Sequence, residues 1–345
     1  MKKLLVIAVA AALAAPAAMA DTTLYGKLHA SVGSVKTTTG TVSTTSKAVE
    51  SHSSRLGVKG STALDNGMEA TYGLEYGLNL DGDNGGGTTS AATGTAAADT
   101  LTSRNTFVGL KGKFGEVRVG KHDTPAKLAT AGQDVFADTY ADMSNIVNAD
   151  QNRVNNAVAY INKFGPVTFA TAYTTSGIGA ADTAGNAHST MLAYGNGPWS
   201  AALGYTAVKT NVETAAAVQS VKQTNLGLGW KSEAGHAVNL IMENDKNTNG
   251  TANTSTKEKT TLLNGVYKMG NVGLKAQVGS RKGSGAANAD ANGTEKLTSV
   301  GVDYSLGKKT SVYLLSSSNK NTGAVSGAAL KTDTKATAIG LVTEF

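Results

Sequence analysis

The sequence predicts an all-β protein, a sixteen-stranded antiparallel transmembrane β-barrel with short turns at one end and long loops at the other. Three observations carry this prediction. Segments of period-two hydrophobic alternation recur along the chain, the polar links between them are alternately short and long, and no apolar run of 18 or more residues follows the N-terminal leader. The last observation excludes a helical membrane protein, because a spanning helix needs about 20 predominantly apolar residues.

The clearest alternating segment is residues 68–80, MEATYGLEYGLNL. Met68, Tyr72 and Leu78 share one face with the other even-numbered residues, whereas Glu69 and Glu75 lie on the opposite face. Successive side chains of a strand point to opposite faces, so the pattern is typical of a strand with one apolar face. Sixteen such segments are predicted, over residues 22–35, 53–62, 67–80, 102–112, 115–122, 153–163, 166–176, 187–196, 198–209, 220–231, 235–246, 257–269, 271–282, 295–306, 309–320 and 334–345.

The links between these segments alternate in length. The short links carry turn residues, as in LDNG, KFG, FGP, NGP, SEAG, MGN and SLGK. The long links, such as TTTGTVSTTSKAVESH, DGDNGGGTTSAATGTAAAD, DKNTNGTANTSTKE and KGSGAANADANG, have the composition of flexible solvated loops. Strict alternation places all short turns and both termini at one end. This is the layout of an outer-membrane barrel, with periplasmic turns and extracellular loops.

The polar face of each segment is predicted to line a lumen. In lipid only a closed sheet satisfies every backbone donor and acceptor, so apolar side chains face lipid and polar ones face inward. A sixteen-strand barrel is too wide for side chains to fill and leaves an aqueous channel. A soluble stack of hairpins is the rival fold, but its edges would be exposed, and tyrosines and tryptophans near the segment ends favour membrane-interface girdles. Arg55 in SSRLGVKG is therefore expected to point into a lumen.

Residues 1–20, MKKLLVIAVAAALAAPAAMA, have a basic start, an apolar stretch and a small-residue A-x-A end. This pattern predicts a secretory signal cleaved before Asp21, which leaves one barrel domain over residues 21–345. Lys2 and Lys3 leave with the signal, so the mature chain is less basic than the whole sequence with its net charge of +6. The basic residues are dispersed rather than clustered, which gives no support for nucleic-acid binding.

Several segments together resemble a known family. The stretches LYGKLHASV, SSRLGVKG, GMEATYGLEY, SRNTFVGLKGKFGEVRVGKHDTP and the terminal LVTEF are similar to those of the Gram-negative general diffusion porins, especially the neisserial-like branch. The resemblance implies a homotrimeric outer-membrane channel whose long third loop folds inward to form a constriction. It also implies outer-membrane lipid and lipopolysaccharide, the outer-membrane assembly machinery and small hydrophilic solutes as partners.

The resemblance assigns basic residues to the constriction. Lys27 corresponds to a first-strand lysine, Arg55 and Arg104 to arginines of the second and fourth strands, and Arg153 to the arginine that opens the sixth strand. Each of the four also lies on the polar face of its strand by parity alone. Glu69 and Glu75 share that face and are predicted lumen acids.

The third loop is predicted over residues 123–152, the longest inter-strand segment. Its acidic candidates are Asp134, Asp138, Asp142 and Asp150; the first three are spaced by four residues and would align on one face of a helical turn. The Pro-Glu-Phe-Gly-type stretch that many porins carry here is missing. At the C-terminus, Phe345 resembles the aromatic residue that the assembly machinery reads.

These observations predict a channel for passive diffusion of small hydrophilic solutes and ions, with a weak preference for anions. A substrate-specific channel for an anion or a sugar is the alternative, and an outer-membrane barrel enzyme is a further one. The enzyme would need a nucleophile–base set or a metal site, whereas the five histidines are far apart with no paired spacing. No cofactor and no metal are expected. A closed structural barrel would need large side chains in the lumen, and the inward positions carry many small residues instead.

Overall fold

The computed structural model describes residues 21–81, 101–151, 153–174, 186–210, 219–249, 254–285, 293–322 and 331–345. The predicted signal over residues 1–20 and most of the predicted long loop over residues 81–99 lie outside the described residues. Within the described ranges, no helix has the length and apolar character needed to cross a membrane.

Strands make up nearly all of the regular structure. They are β1 Asp21–Thr39, β2 Val42–Ser51, β3 Arg55–Ala63, β4 Glu69–Leu78, β5 Leu101–Gly112, β6 Gly115–Asp123, β7 Arg153–Phe164, β8 Val167–Thr174, β9 Asn186–Asn196, β10 Trp199–Thr210, β11 Gln219–Lys231, β12 Ala237–Asn249, β13 Thr254–Met269, β14 Val272–Gly285, β15 Thr294–Ser305, β16 Thr310–Asn321 and β17 Thr332–Glu344.

The seventeen segments form sixteen barrel strands, because β2 and β3 are two parts of one strand. Both pair with β1, β2 along its second half and β3 along its first. The interruption lies at residues 52–54, where Ser53 has a positive φ of 51°. All neighbours are antiparallel, and β17 pairs with β1 from Lys27 opposite Glu344 to Thr39 opposite Thr332, which closes the sheet. The predicted sixteen-strand antiparallel barrel is confirmed.

Several predicted long loops are in part strand hairpins. Residues 37–52, predicted as a loop, form the end of β1 and the whole of β2, and the predicted loops over residues 245–258 and 282–293 are shortened by extensions of β12, β13 and β14. The prediction failed there because both faces of these extensions are mainly polar, so the hydrophobic alternation is lost although the backbone ladder continues. Thr and Val favour the extended conformation even without an apolar face.

Burial along the strands is inverted relative to a soluble protein. In β1, Ser31 is 2% exposed while its neighbour Val32 is 60% exposed. The same contrast recurs around the barrel, with buried Asn225 and Gln277 on one face and exposed Ile339 on the other. A closed sheet with apolar side chains outside and polar side chains inside fits a hydrocarbon exterior and an aqueous interior.

The short links are tight turns at one end of the barrel. Gly165 in FGP and Gly197 in NGP both have φ of 58°, a left-handed conformation that glycine adopts without steric cost. The first joins β7 to β8 and the second joins β9 to β10. The first residue of β1 and the last residue of β17 also lie at the short-turn end of the barrel.

The segment between β6 and β7, residues 124–152, is called loop 3 below. Its described residues, 124–151, contain one short helix, α1 Pro125–Ala131, with Thr124 as its N-cap, and two 3₁₀ turns, Met143–Asn145 and Asn148–Gln151. Asp123, predicted as the first loop residue, is instead the last residue of β6.

Loop 3 folds into the barrel, and its apolar side chains pack against the inner wall. Met143, Ile146 and Val147 are fully buried against Ile241, Leu262 and Leu297 of the wall. A second cluster brings Phe136 and Ala141 of the loop against Tyr313, Leu315 and Ala338. The protein core is therefore the interface between loop 3 and the strands on one side of the lumen.

We expect Gly340→Ala to destabilise the barrel. A Cβ at Gly340 would overlap the ring of Tyr313, which is itself packed beneath loop 3. Overpacking of this kind costs about 1–3 kcal/mol. The measurement is the thermal unfolding midpoint of the refolded barrel in detergent. Gly195→Ala in β9 is the matched control, since nothing lies within 4 Å of a Cβ there. Equal midpoints for both variants would contradict the expectation.

Candidate functional site

Two polar anchors fix the ends of loop 3 to the barrel wall. At its start, the side-chain amide of Asn225 donates to the carbonyl oxygen of Ala126 at 2.8 Å and to Thr130 Oγ1 at 3.1 Å. At its end, the carboxylate of Glu243 accepts from the backbone N–H groups of Asn148 at 2.7 Å and Ala149 at 2.9 Å. These bonds satisfy backbone groups that would otherwise be buried unpaired.

Two of the predicted loop acids hold the shape of the loop tip. Asp134 accepts from the backbone N–H of Phe136 at 2.7 Å and of Met143 at 2.9 Å. Asp142 accepts from the backbone N–H of Ser144 at 2.7 Å and of Asp138 at 2.6 Å. The side chain of the fourth predicted acid, Asp150, lies outside the described residues.

Asp138 is the loop acid that meets the predicted basic residues. Its carboxylate accepts from Lys27 Nζ at 2.8 Å and from an Arg55 guanidinium nitrogen at 3.3 Å. The residue has a positive φ of 57°, a conformation that Asp tolerates better than most residues. The structure thus brings a loop acid against basic side chains of the first two barrel strands.

A second acid, Glu75 of β4, connects the remaining lumen charges of this region. Its carboxylate lies 2.6 Å from Arg104 Nε and 4.0 Å from Arg55 Nε, and it accepts from the Tyr25 hydroxyl at 3.1 Å. Glu69 lies on the same face of β4 as Glu75 but does not contact the same basic residues. It pairs with Lys111 at 3.3 Å, near the short-turn end, where both side chains are substantially exposed.

The third acid of the site, Asp123, was not among the predicted site residues. It pairs with Arg153 at 2.8 Å and with Lys127 of α1 at 3.4 Å, and it accepts from the Asn105 side chain at 2.7 Å. Strand parity could not identify it, because a register shift between Gly120 and His122 disturbs the alternation of β6. The only signal in the sequence was its position four residues before Lys127.

Basic groups outnumber acidic groups in this cluster. The residues are Lys27, Arg55, Arg104, Lys127 and Arg153 against Glu75, Asp123 and Asp138, which is five positive against three negative charges. Burial alone raises the pKa of the Asp138 carboxyl, but Lys27 and Arg55 outweigh burial and lower the pKa from its ordinary 3.8 to about 2. The acid is therefore ionised at neutral pH.

Phe345, the predicted assembly signal, follows the last residue of β17 and is half exposed. Its backbone exchanges hydrogen bonds with Gly26, and its ring covers that glycine. In the described parts of the chain, no group of three or more His, Cys, Asp or Glu side chains is placed to hold a metal ion.

The fold and the cluster define a class of protein, a membrane-embedded barrel whose lumen is narrowed by an inserted loop and lined there by paired charges. A model of the Gram-negative porin family matches residues 7–324. The chain belongs to this family, and its location is the outer membrane.

Individual relatives agree with this assignment. The outer membrane porin protein 32 of Delftia acidovorans is 31% identical over 225 residues, which is 61% of this chain and 61% of the relative. The major outer membrane protein P.IB of Neisseria gonorrhoeae is 35% identical over 132 residues, 37% of this chain and 34% of the relative. The matched stretches thus span less than two thirds of either relative's length.

Solved structures share the fold. The anion-selective porin from Comamonas acidovorans has a TM-score of 0.76 and 21% identity, covering 94% of this chain and 100% of its own. OmpF of Salmonella typhi, solved in complex with daunomycin, has a TM-score of 0.65 and 15% identity, covering 94% of this chain and 97% of its own. At these identities the likeness shows the architecture alone.

The charge pair at Asp138 is expected to stabilise the fold in a pH-dependent way. Because the folded-state pKa of Asp138 lies below its unfolded value, the stabilisation is fully present above about pH 4 and is lost as pH falls through 2. Asp138→Asn should lower the free energy of unfolding by about 2 kcal/mol at pH 7 and by little at pH 2. Asn also tolerates a positive φ, so the variant isolates the charge.

The measurement for Asp138→Asn is urea unfolding of the refolded barrel in detergent at several pH values between 7 and 2. A difference from the wild type that stays constant over this range would mean that the loss comes from altered packing and not from the charge.

Proposed function

We propose that the protein is a channel for passive diffusion of small hydrophilic solutes and ions across the outer membrane, with a weak preference for anions. The observation that carries the proposal is the pairing of loop 3 with the wall, Asp138 against Lys27 and Arg55, inside a closed barrel with a polar interior. A folded-in loop anchored to the wall narrows the lumen without filling it with apolar side chains.

The mechanism follows from the placement of charges in a narrow passage. Fixed positive and negative groups set up a field across the lumen that orders water and orients dipolar solutes. A polar solute passes by exchanging its hydration for contacts with these groups, whereas an apolar solute gains nothing in return for the water it displaces. The arrangement filters by size and polarity and needs no chemical step.

The preference for anions is supported by the charge balance of the cluster. Among the ion-paired residues that connect loop 3 to the wall, five basic groups stand against three acidic groups, which leaves an excess of positive charge in these pairs. The solved relative from Comamonas acidovorans is described as anion-selective, which supports the same direction. Because acids of the wall and of the loop neutralise most of the basic groups, the proposed preference is weak.

The proposal extends to maturation and assembly. A signal over residues 1–20 would be removed before Asp21, and the barrel would associate as a homotrimer. The outer membrane protein OmpT of Vibrio cholerae, which shares the fold, is described in a trimer form. Phe345, at the exposed end of the last strand, is proposed as the residue that the assembly machinery reads.

The first test is a planar-bilayer recording of the refolded mature chain, residues 21–345, under a KCl gradient. We expect large ohmic conductance steps, with the conductance falling in three equal steps at high voltage. We also expect a reversal potential whose sign indicates a preference for anions. A barrel that inserts but passes no current would overturn the channel proposal. A current that saturates with one small anion would instead indicate a substrate-specific channel.

Arg55→Gln should shift the reversal potential toward cations. A unit charge a few ångströms from a permeating ion interacts with that ion by about 1 kcal/mol in water. The anion-to-cation permeability ratio should therefore fall by roughly two- to fivefold. Lys111→Gln is the matched control, because this lumen lysine lies near the exposed short-turn end and should change the ratio less. Equal shifts for both variants would show that total lumen charge, and not the cluster, sets selectivity.

Asp138→Asn should change selectivity in the opposite direction. Loss of this carboxylate leaves Lys27 and Arg55 without their loop partner. The permeability ratio should therefore rise in favour of anions, measured as the reversal potential under the same gradient. A shift toward cations would contradict the proposed role of the Asp138 pair.

A further inference from the structure

Four rings form a continuous stack between the tip of loop 3 and the inner wall of the barrel. We call Tyr140, His52, His29 and Tyr313 the ring stack. Tyr140 belongs to loop 3, His52 to the link between β2 and β3, and the other two to β1 and β16. The ring centroids are 5.0 Å apart from Tyr140 to His52, 4.9 Å from His52 to His29, and 5.5 Å from His29 to Tyr313. Two imidazoles are therefore in direct contact at the middle of the stack.

The ring stack holds the tip of loop 3 against the wall. The ring of Tyr140 lies on Gly33 of β1, where the absence of a side chain leaves room for it. Its hydroxyl donates a hydrogen bond to the carboxylate of Glu50 in β2. Tyr140 follows Asp138 by two residues, so the same contacts fix the backbone that carries the loop acid of the charged cluster. The position of Asp138 thus depends on the ring stack as well as on its basic partners.

The hydrogen bonds of the two histidines leave one ring nitrogen without a partner. His29 Nε2 lies 2.9 Å from the Tyr313 hydroxyl, and His52 Nε2 lies 2.7 Å from Ser31 Oγ. His29 is 1% exposed, and its Nδ1 has no hydrogen-bond partner among the described residues. With a hydrogen on each nitrogen, the ring would have a buried donor without an acceptor, which costs free energy.

The charged groups around the two imidazoles already have partners. Those that face the pair are Lys27 of β1, Arg55 of β3, Asp138 of loop 3, Glu50 of β2 and Asp81 beyond the end of β4, beside the two tyrosines of the stack. Asp138 pairs with both basic residues. Glu50 accepts from Tyr140, and Asp81 accepts from the backbone N–H of Ser51. Positive charge on both imidazoles would therefore produce repulsion between rings in contact, next to two further cations.

The wall beneath the loop tip is not closely packed. A cavity of about 230 Å³ lies there, and its lining includes His29, Phe136 and Tyr313. Protein interiors are normally packed as densely as organic crystals. The tip therefore borders free space, so it has room to move relative to the ring stack.

We propose that the His29–His52 pair makes the position of the loop 3 tip sensitive to pH. The inference rests on the proposed channel and adds a control of its conductance. With both imidazoles neutral, the ring stack is intact and the tip stays on the wall. When the tip leaves the wall, water reaches both rings and His52 can turn away from His29, so this second state binds protons more tightly.

Acid then shifts the equilibrium toward the second state. Imidazole is the side chain that ordinarily changes its charge between pH 8 and 5. A ligand, here the proton, favours whichever of two states binds it more tightly. A tip that has left the wall projects further into the lumen, so the passage becomes narrower as the pH falls.

The first measurement is the single-channel current of the refolded mature barrel, residues 21–345, at a fixed low voltage between pH 7.5 and 5. We expect a second, lower conductance level that occupies more of the recording as the pH falls. Uptake of one proton changes an equilibrium by up to about tenfold per pH unit, so the ratio of low to high level should rise at least about tenfold over this range.

Two outcomes of this recording have different meanings. A current with the same level at every pH between 7.5 and 5 would overturn the inference and leave the channel standing. Absence of current at every pH would refute the channel, and the inference with it.

The second measurement repeats the recording with the double variant His29→Gln and His52→Gln. Glutamine places its terminal amide near the position of histidine Nε2, so the bonds to Tyr313 and Ser31 are kept while the titrating rings are removed. The current of this variant should be the same at pH 7.5 and 5. A low-conductance level that still appears in acid would overturn the inference.

The matched control is His122→Gln. His122 is another buried histidine of the lumen, but its Nε2 accepts from Arg118 and it lies outside the ring stack. This variant should keep the pH response of the wild type, and loss of the response would contradict the role of the stack. If the double variant does not refold, the single variants His29→Gln and His52→Gln are recorded instead. Each should show a shallower pH dependence than the wild type, and an unchanged dependence in both would overturn the inference.

Discussion

Closure of the sheet is the constraint on which the rest of the structure depends. A strand in hydrocarbon has no water to satisfy its N–H and C=O groups. The first and last strands of the sheet must therefore hydrogen-bond to each other. The ladder between β1 and β17 does this over thirteen residue pairs. Once the sheet is closed, every strand has one face toward lipid and one toward water, and the sequence alternates accordingly. The interior is then too wide for wall side chains to fill, which leaves room for loop 3.

Loop 3 occupies part of the lumen and forms the charged cluster together with the wall. Its helix and its end are hydrogen-bonded to inward side chains such as Asn225 and Glu243, and its apolar residues pack on the wall. The anchored backbone then holds Asp138 against Lys27 and Arg55. Polar strand faces therefore serve two purposes, since they attach the loop on one side of the lumen and supply the charges that face it on the other.

Hydrophobic period and strand parity were enough to predict the number of strands and the face on which a side chain lies. The prediction failed for residues whose position depends on irregular backbone geometry. Strand number and the inward direction of Arg55 and Arg104 follow from alternation alone. Asp123 was missed because a register shift in β6 breaks the alternation. The different roles of Asp134 and Asp138 depend on the fold of the loop tip, which no periodicity encodes.

The interruption between β2 and β3 has a consequence for how the protein tolerates change. In a continuous strand, one inserted residue would turn every following side chain to the other face. Here Ser53, with its positive φ, and Ser54, buried and bonded to the backbone of His29, re-set the direction of the chain just before Arg55. The extracellular hairpin of β1 and β2 can therefore gain or lose residues while Arg55 keeps its place in the lumen. The surface exposed to the outside is free to diversify independently of the passage beneath it.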